Sequence, residues 1–152
     1  MNNNDILRSL RYTFDLNDKK MIQIFSLAQV EVTRAQVSDW LKKEDDDSFK
    51  SIVDAYLSAF LNGFITLKRG SKDGSIPPNE KKLNNNQVLR KLKIALELKD
   101  TDMLEILDLA NLKVSKHELS AFFRKPGQNQ YRPCKDQILR NFLFGLRKKY
   151  RP

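Results

Sequence analysis

The sequence is poor in the residues from which most catalytic and metal sites are built. Its 152 residues include one cysteine, Cys134, and one histidine, His117. A single cysteine excludes a disulfide framework and a cysteine-built zinc site, and it fits a reducing compartment. One histidine with one cysteine leaves no metal-binding His pair and no Ser–His arrangement. No glycine-rich phosphate loop occurs either, so a non-enzymatic protein without cofactor or metal is expected. The longest apolar-rich stretch, Ile52 to Leu67, carries Asp54 and Asn62 and is short for a bilayer span. The start, Met1-Asn2-Asn3-Asn4-Asp5, offers neither a basic nor an apolar leader region. A cytoplasmic protein with no membrane partner is therefore expected. At 40% apolar and 31% charged residues, the chain is too apolar for a disordered tail.

Charge is abundant, and it is uneven. Met1 to Ser75 holds 11 basic and 11 acidic residues, whereas Ile76 to Pro152 holds 17 basic and 8 acidic, a net +9. All the net charge thus belongs to the second half, which suits a polyanionic or acidic partner. The plainer reading is a domain kept monomeric by its charge.

The two halves are copies. An offset of 82 aligns Asn3–Gly70 with Asn85–Pro152 without a gap, and 20 of the 68 positions are identical. Leu27-Ala28 faces Leu109-Ala110, Phe60-Leu61-Asn62-Gly63 faces Phe142-Leu143-Phe144-Gly145, and Trp40 faces Phe122. This period is too long for a solenoid and marks a tandem module. The expected organisation is a first repeat at 1–70, a turn-rich linker at 71–83 and a basic second repeat at 84–152.

Apolar spacing predicts an all-α fold with about four helices per module. Ile6, Leu7, Leu10 and Phe14 form one stripe. Asp18 and Asp100 are placed to cap a second helix, and Thr33 and Ser115 a short third one. A long fourth helix is expected after Asp45-Asp46-Asp47-Ser48, with Phe49, Ile52, Val53, Tyr56, Leu57, Phe60, Leu61 and Phe64 around it. The recurrence of Gly63 and Gly145 inside that helix suggests a close helix–helix contact.

Several runs resemble the YehS-like family of bacterial proteins, a domain family of unknown function. They are Asn3-Asn4-Asp5-Ile6-Leu7-Arg8, Leu41-Lys42-Lys43-Glu44-Asp45-Asp46, Lys68-Arg69-Gly70, Leu119 to Gly127, Tyr131-Arg132-Pro133-Cys134 and Asp136 to Leu143. The resemblance spans nearly the whole chain and implies a small, duplicated, cytoplasmic bacterial protein. It carries over no catalytic or binding residues.

Leu27 to Leu41 looks like the helix-turn-helix of small DNA-binding repressors, with the third helix starting at Thr33. Arg34, Gln36, Ser38 and Asp39 would face a groove there; Lys116, His117, Ser120 and Arg124 would do so in the second copy. Glu31 and Lys113 stand where a turn glycine is usual, and any two helices joined by a capped turn can imitate the pattern. Lys125, Arg132, Arg140 and Lys148 extend a basic surface able to track phosphates, and Tyr131 and Tyr150 could stack on bases. The cations near the C-terminus also suit a helix end, and His117 reads equally as an exposed spectator. Arg8 with Asp54, and Arg90 with Asp136, recur as pairs and are expected to bridge the first and fourth helices. Cys134 aligns with Ile52 and should be buried and inert.

Two readings follow. One is a DNA- or RNA-binding protein acting through the second repeat. The other is an adaptor for a protein partner or a second copy, with oligomeric state open.

Overall fold

Each repeat begins on an asparagine cap. Asn2 Oδ1 accepts from the Asp5 N–H at 2.9 Å, and Asn84 Oδ1 from the Gln87 N–H at 2.9 Å; Asp5 and Gln87 return the bond to the cap backbone. These reciprocal boxes satisfy N–H groups that a helix start leaves without partners. They open α1 (Asn3–Thr13) and α5 (Asn85–Ala95). The structure, a computed structural model, describes residues 1–70 and 78–152; residues 71–77 of the expected linker lie outside the described residues.

The second helices are α2 (Asp18–Leu27) and α6 (Asp100–Leu109). Asp18 and Asp100 do not cap them, because Asn17 and Lys99 hold the cap positions. The two carboxylates lie one residue further in, within the first turn, where the helix dipole favours negative charge. Thr33 and Ser115 do cap, opening α3 (Arg34–Leu41) and α7 (Lys116–Ala121). The first two helices of each copy stop in the same way, on a left-handed residue that is not glycine. Asp15, Gln29, Glu97 and Asn111 have φ between 52° and 63°. Each is followed by a buried or half-buried Leu or Val whose N–H reaches back five residues, as from Leu16 to Arg11 O at 2.9 Å.

The fourth helices, α4 (Asp54–Arg69) and α8 (Asp136–Tyr150), begin later than apolar spacing predicts. Phe49 to Val53 lies outside the helix because Asn4 captures its backbone. Asn4 Nδ2 donates to Lys50 O at 2.8 Å and to Trp40 O at 2.9 Å, and its Oδ1 accepts from Ile52 N–H at 3.2 Å. Asn86 repeats this with Arg132 O, Phe122 O and Cys134 N–H at 2.9, 3.0 and 2.8 Å. A residue whose backbone bonds are already taken by a side chain cannot join a helix ladder.

By contacts the chain divides into Met1–Leu83 and Asn84–Pro152. In the first unit α4 packs on α2 across a core of Phe25, Phe60, Phe64, Leu7, Leu10 and Ile24. The Phe25 ring lies 5.5 Å from Trp40 and 5.4 Å from Phe60. In the second unit α8 packs on α6, and Leu107 and Leu146 replace Phe25 and Phe64. Residues 78–83 belong to the first unit rather than to a linker. Glu80 exchanges bonds with Ser58 of α4, and Leu83 N–H donates to Asp54 at 2.9 Å. Among the described residues every regular element is helical, and no helix is long and apolar enough to cross a membrane.

Candidate nucleic-acid interface

The ionic bridges expected from Arg8 to Asp54 and from Arg90 to Asp136 are not formed. Arg8 instead donates to Lys42 O at 2.6 Å and pairs with Asp5 at 2.5 Å; Arg90 donates to Phe123 O at 2.7 Å. Both arginines thus tie the end of the third helix to the first. The first-to-fourth helix link exists, but asparagine makes it: Asn3 donates to Asp54 at 2.6 Å and Asn85 to Asp136 at 2.7 Å. An amide reaches the first turn of α4 or α8 directly, while the arginine lies a turn further along and faces the α3–α4 or α7–α8 connection.

Lys116, His117, Lys125, Arg132, Arg140 and Lys148 are exposed, whereas Ser120 and Arg124 are half-buried. His117 and Arg132 meet around a shallow surface cavity of about 280 Å³, shared with Glu118, Ala121 and Gln130. Ser120 turns its hydroxyl back to His117 O at 3.2 Å, which suits a helix-internal role better than a groove contact. Arg124 lines a different cleft, beside Arg90 and Tyr131. Arg140 and Lys148 line neither of these hollows; they lie two turns apart on α8. Between them is Phe144, 40% exposed, with the Arg147 guanidinium 4.9 Å and the Lys148 ammonium 5.1 Å from its ring. Sequence reasoning passed over Phe144. The available signal was its alignment with Asn62, a buried residue in the first copy.

The turn between α2 and α3 does not take the form expected from the repressor pattern. Its left-handed residue is Gln29, and Asn111 in the second copy, two positions before Glu31 and Lys113. Ala28 to Thr33 then forms a longer connection than the usual tight turn.

Acidic residues are sparse in the second unit beyond α6. From Leu109 to Pro152 there are 11 basic residues and two acidic ones, Glu118 and Asp136. Both acids are engaged. The Ser115 backbone N–H, then its hydroxyl, hold the Glu118 carboxyl below its ordinary range, and the Asn85 amide does the same for Asp136. They therefore stay ionised at neutral pH but already have partners. The remaining acids of the unit, such as Glu97, Asp100, Asp102, Glu105 and Asp108, cluster on and before α6.

Cys134 is buried, and that burial, followed by the charge of Asp136, lifts its thiol from its ordinary 9.0 to about 11. The unfolded chain releases this proton near pH 9 and the folded chain only near pH 11. The stabilisation is present below pH 9 and is lost as pH rises through the folded value, about 2–3 kcal/mol in all. Urea unfolding of wild type and Cys134→Val between pH 8 and pH 11 checks this. The wild type should lose stability relative to the variant; parallel curves would refute the assignment. Among the described residues no group of three or more His, Cys, Asp or Glu is gathered as a metal site.

The profile of the DUF1456 family, proteins of unknown function, matches residues 3–70 and again residues 85–151. The chain belongs to this family. The two matched stretches coincide with the two helical repeats, one copy of the family's domain in each. The chain is also 47% identical over 148 residues, 96% of its own length and 94% of the relative's, to the uncharacterized protein YehS of Escherichia coli (strain K12). No solved structure matches it.

Proposed function

We propose that this DUF1456 protein is a non-enzymatic, cytoplasmic nucleic-acid-binding protein that uses the basic face of its second unit. Charge segregation between two copies of one fold carries the reading. The first unit has 13 basic and 12 acidic residues and the second 15 and 7. The shared framework does not account for the difference, since both copies use the same asparagine caps on their first helices, the same asparagine clamps and the same glycine contact. Cations on α7, on the 122–135 segment and on α8 supply the contacts that dominate affinity for a phosphate backbone. Phe144 adds an apolar ring of the kind on which bases stack.

The duplication supplies its own control. Lys116 and Arg132 correspond to Arg34 and Lys50, and all four are exposed. Anisotropy titrations of the full chain with mixed-sequence duplex and single strands, from 50 to 200 mM salt, should show steeply salt-dependent binding. Lys116→Gln with Arg132→Gln should flatten the salt slope by about 2, roughly one per phosphate contact removed. Arg34→Gln with Lys50→Gln should leave it unchanged. No binding of either strand form at low salt overturns the proposal. Affinity that survives high salt and ignores both variant pairs also overturns it, and favours a protein partner.

A further inference from the structure

The copies differ in charge where the first helix of each repeat meets the segment after the third. In the first unit this place is closed by the protein's own acids. Arg8 pairs with Asp5, and the Asn2 amide donates to the Glu44 carboxylate. The counterparts in the second unit are Arg90, Gln87, Asn84 and Pro126. Both carboxylates are gone, and so is Asp39, which pairs with Lys42 at 3.1 Å in the first unit and is Ala121 in the second, while the cations are kept, Arg90 for Arg8 and Arg124 for Lys42.

What remains is a cleft of about 150 Å³ lined by Asn84, Gln87, Arg90, Arg124, Pro126 and Tyr131, among others. Gln87 keeps the capping bond through its Oε1 but offers Arg90 no negative charge. Arg90 bonds to the Phe123 carbonyl and has no carboxylate partner among the described residues. The Arg124 Nε is buried and finds no hydrogen-bond partner there either. A buried guanidinium N–H without an acceptor is unfavourable, and an oxygen ligand would remove that deficit.

We propose that this cleft is an oxyanion site for the dianionic phosphate of a phosphomonoester, carried on a small molecule or at the end of a nucleic-acid strand. The first unit holds Asp5 on Arg8, Asp39 on Lys42 and Glu44 on Asn2, and the second unit has none of these three acids. A phosphomonoester, at about −1.5 to −2 near pH 7, restores more of that charge than a carboxylate or a backbone phosphodiester, each of which brings one. Two guanidiniums supply the planar donor forks that phosphate oxygens match, and the amide of Asn84 and the phenol of Tyr131 are further polar groups at the rim. The first unit cannot bind in this way because Asp5 and Glu44 already occupy the equivalent positions. This site is independent of phosphodiester tracking by the outer cations.

The test uses the ¹⁵N-labelled full chain titrated with inorganic phosphate at constant ionic strength. Arg124 Nε–H and Arg90 resonances should shift saturably, and Arg8 should not respond. Arg124→Gln should weaken binding at least about tenfold. Gln87→Asp with Pro126→Glu, which rebuilds two of the acids of the first unit, should abolish the response while leaving the melting temperature near wild type. A 5′-phosphorylated oligonucleotide that displaces inorganic phosphate, where its 5′-hydroxyl form does not, assigns the source to strand ends. Displacement by a sugar phosphate alone assigns it to small molecules. Absence of a saturable shift at Arg124, an equal response to acetate, or a response that persists in the acid-restored variant would overturn the site. None of these outcomes depends on whether the outer cations bind nucleic acid.

Discussion

Gly145→Ala is expected to unfold the second unit under conditions where the wild type is folded. A Cβ at this position would lie 2.0 Å from the Ile106 carbonyl oxygen and 2.8 Å from its carbon. Those are backbone atoms of α6, so no rotamer change relieves the clash. The helices must separate by more than an ångström along the main packing interface of the unit. Alanine gains about 1 kcal/mol of helix propensity over glycine, but overpacking against fixed backbone outweighs it, for a net loss of at least about 3 kcal/mol. A unit this small holds only about 5 kcal/mol in total. Gly63→Ala should act alike on the first unit, where the Cβ would meet Ile24 O at 1.8 Å. Gly127 is the control, with open space around it, and its alanine variant should stay within about 0.5 kcal/mol of wild type. Urea unfolding followed by circular dichroism reads all three. Trp40 fluorescence adds a probe placed in the first unit alone. A Gly145→Ala protein within about 1 kcal/mol of wild type would refute the close-contact role.

Asn86→Ala should destabilise the second unit by about 3–5 kcal/mol, the sum expected for stranding several buried backbone groups. The side chain joins three elements at once, through Phe122 O, Arg132 O and Cys134 N–H. Truncation leaves two carbonyls and one N–H without their partner, and it frees the segment that carries Tyr131 and Arg132. Functional consequences should follow even at temperatures where α5 to α8 persist, because both the oxyanion cleft and the His117–Arg132 surface depend on that segment. Asn129→Ala, at an exposed asparagine a few residues away, should change stability by less than about 0.5 kcal/mol. Hydrogen exchange gives the sharper readout: the Cys134 amide, protected in the wild type, should exchange quickly in Asn86→Ala. Retained protection there would show that the clamp is not what holds the segment.

Much of this architecture was legible from spacing alone. Helical periodicity identified the first three helices of each copy to within a residue or two, since amphipathic stripes and Thr or Ser caps are local signals. The glycine contact was also visible, because an unfavourable residue kept in both copies needs a packing reason. Phe49 to Val53 misled the periodic reading. Ile52 is buried at helical spacing from Tyr56, yet the segment is not helical. Its conformation depends on Asn4, distant in sequence, and no window of local residues contains that bond. The same non-local cause redirected Arg8 and Arg90. Their pairing with acids in the fourth helix was plausible by charge, but an asparagine one helical turn earlier reaches those acids first.

The candidate site divides along the same line. Net charge, its confinement to the second copy, the duplication and the scarcity of catalytic residue types are properties of composition and order, so the sequence by itself determined them. Which cations share a surface is a different matter. Arg124 with Arg90 and Tyr131, and His117 with Arg132, are brought together by the asparagine clamp and the third-helix turn, through backbone bonds between segments far apart in the chain. Only the tertiary structure decided that grouping. It also decided that losing Asp5, Asp39 and Glu44 from the second copy leaves a basic cleft in which, among the described residues, the Arg124 Nε–H has no acceptor, because a charge deletion becomes a site only where the fold supplies no other partner.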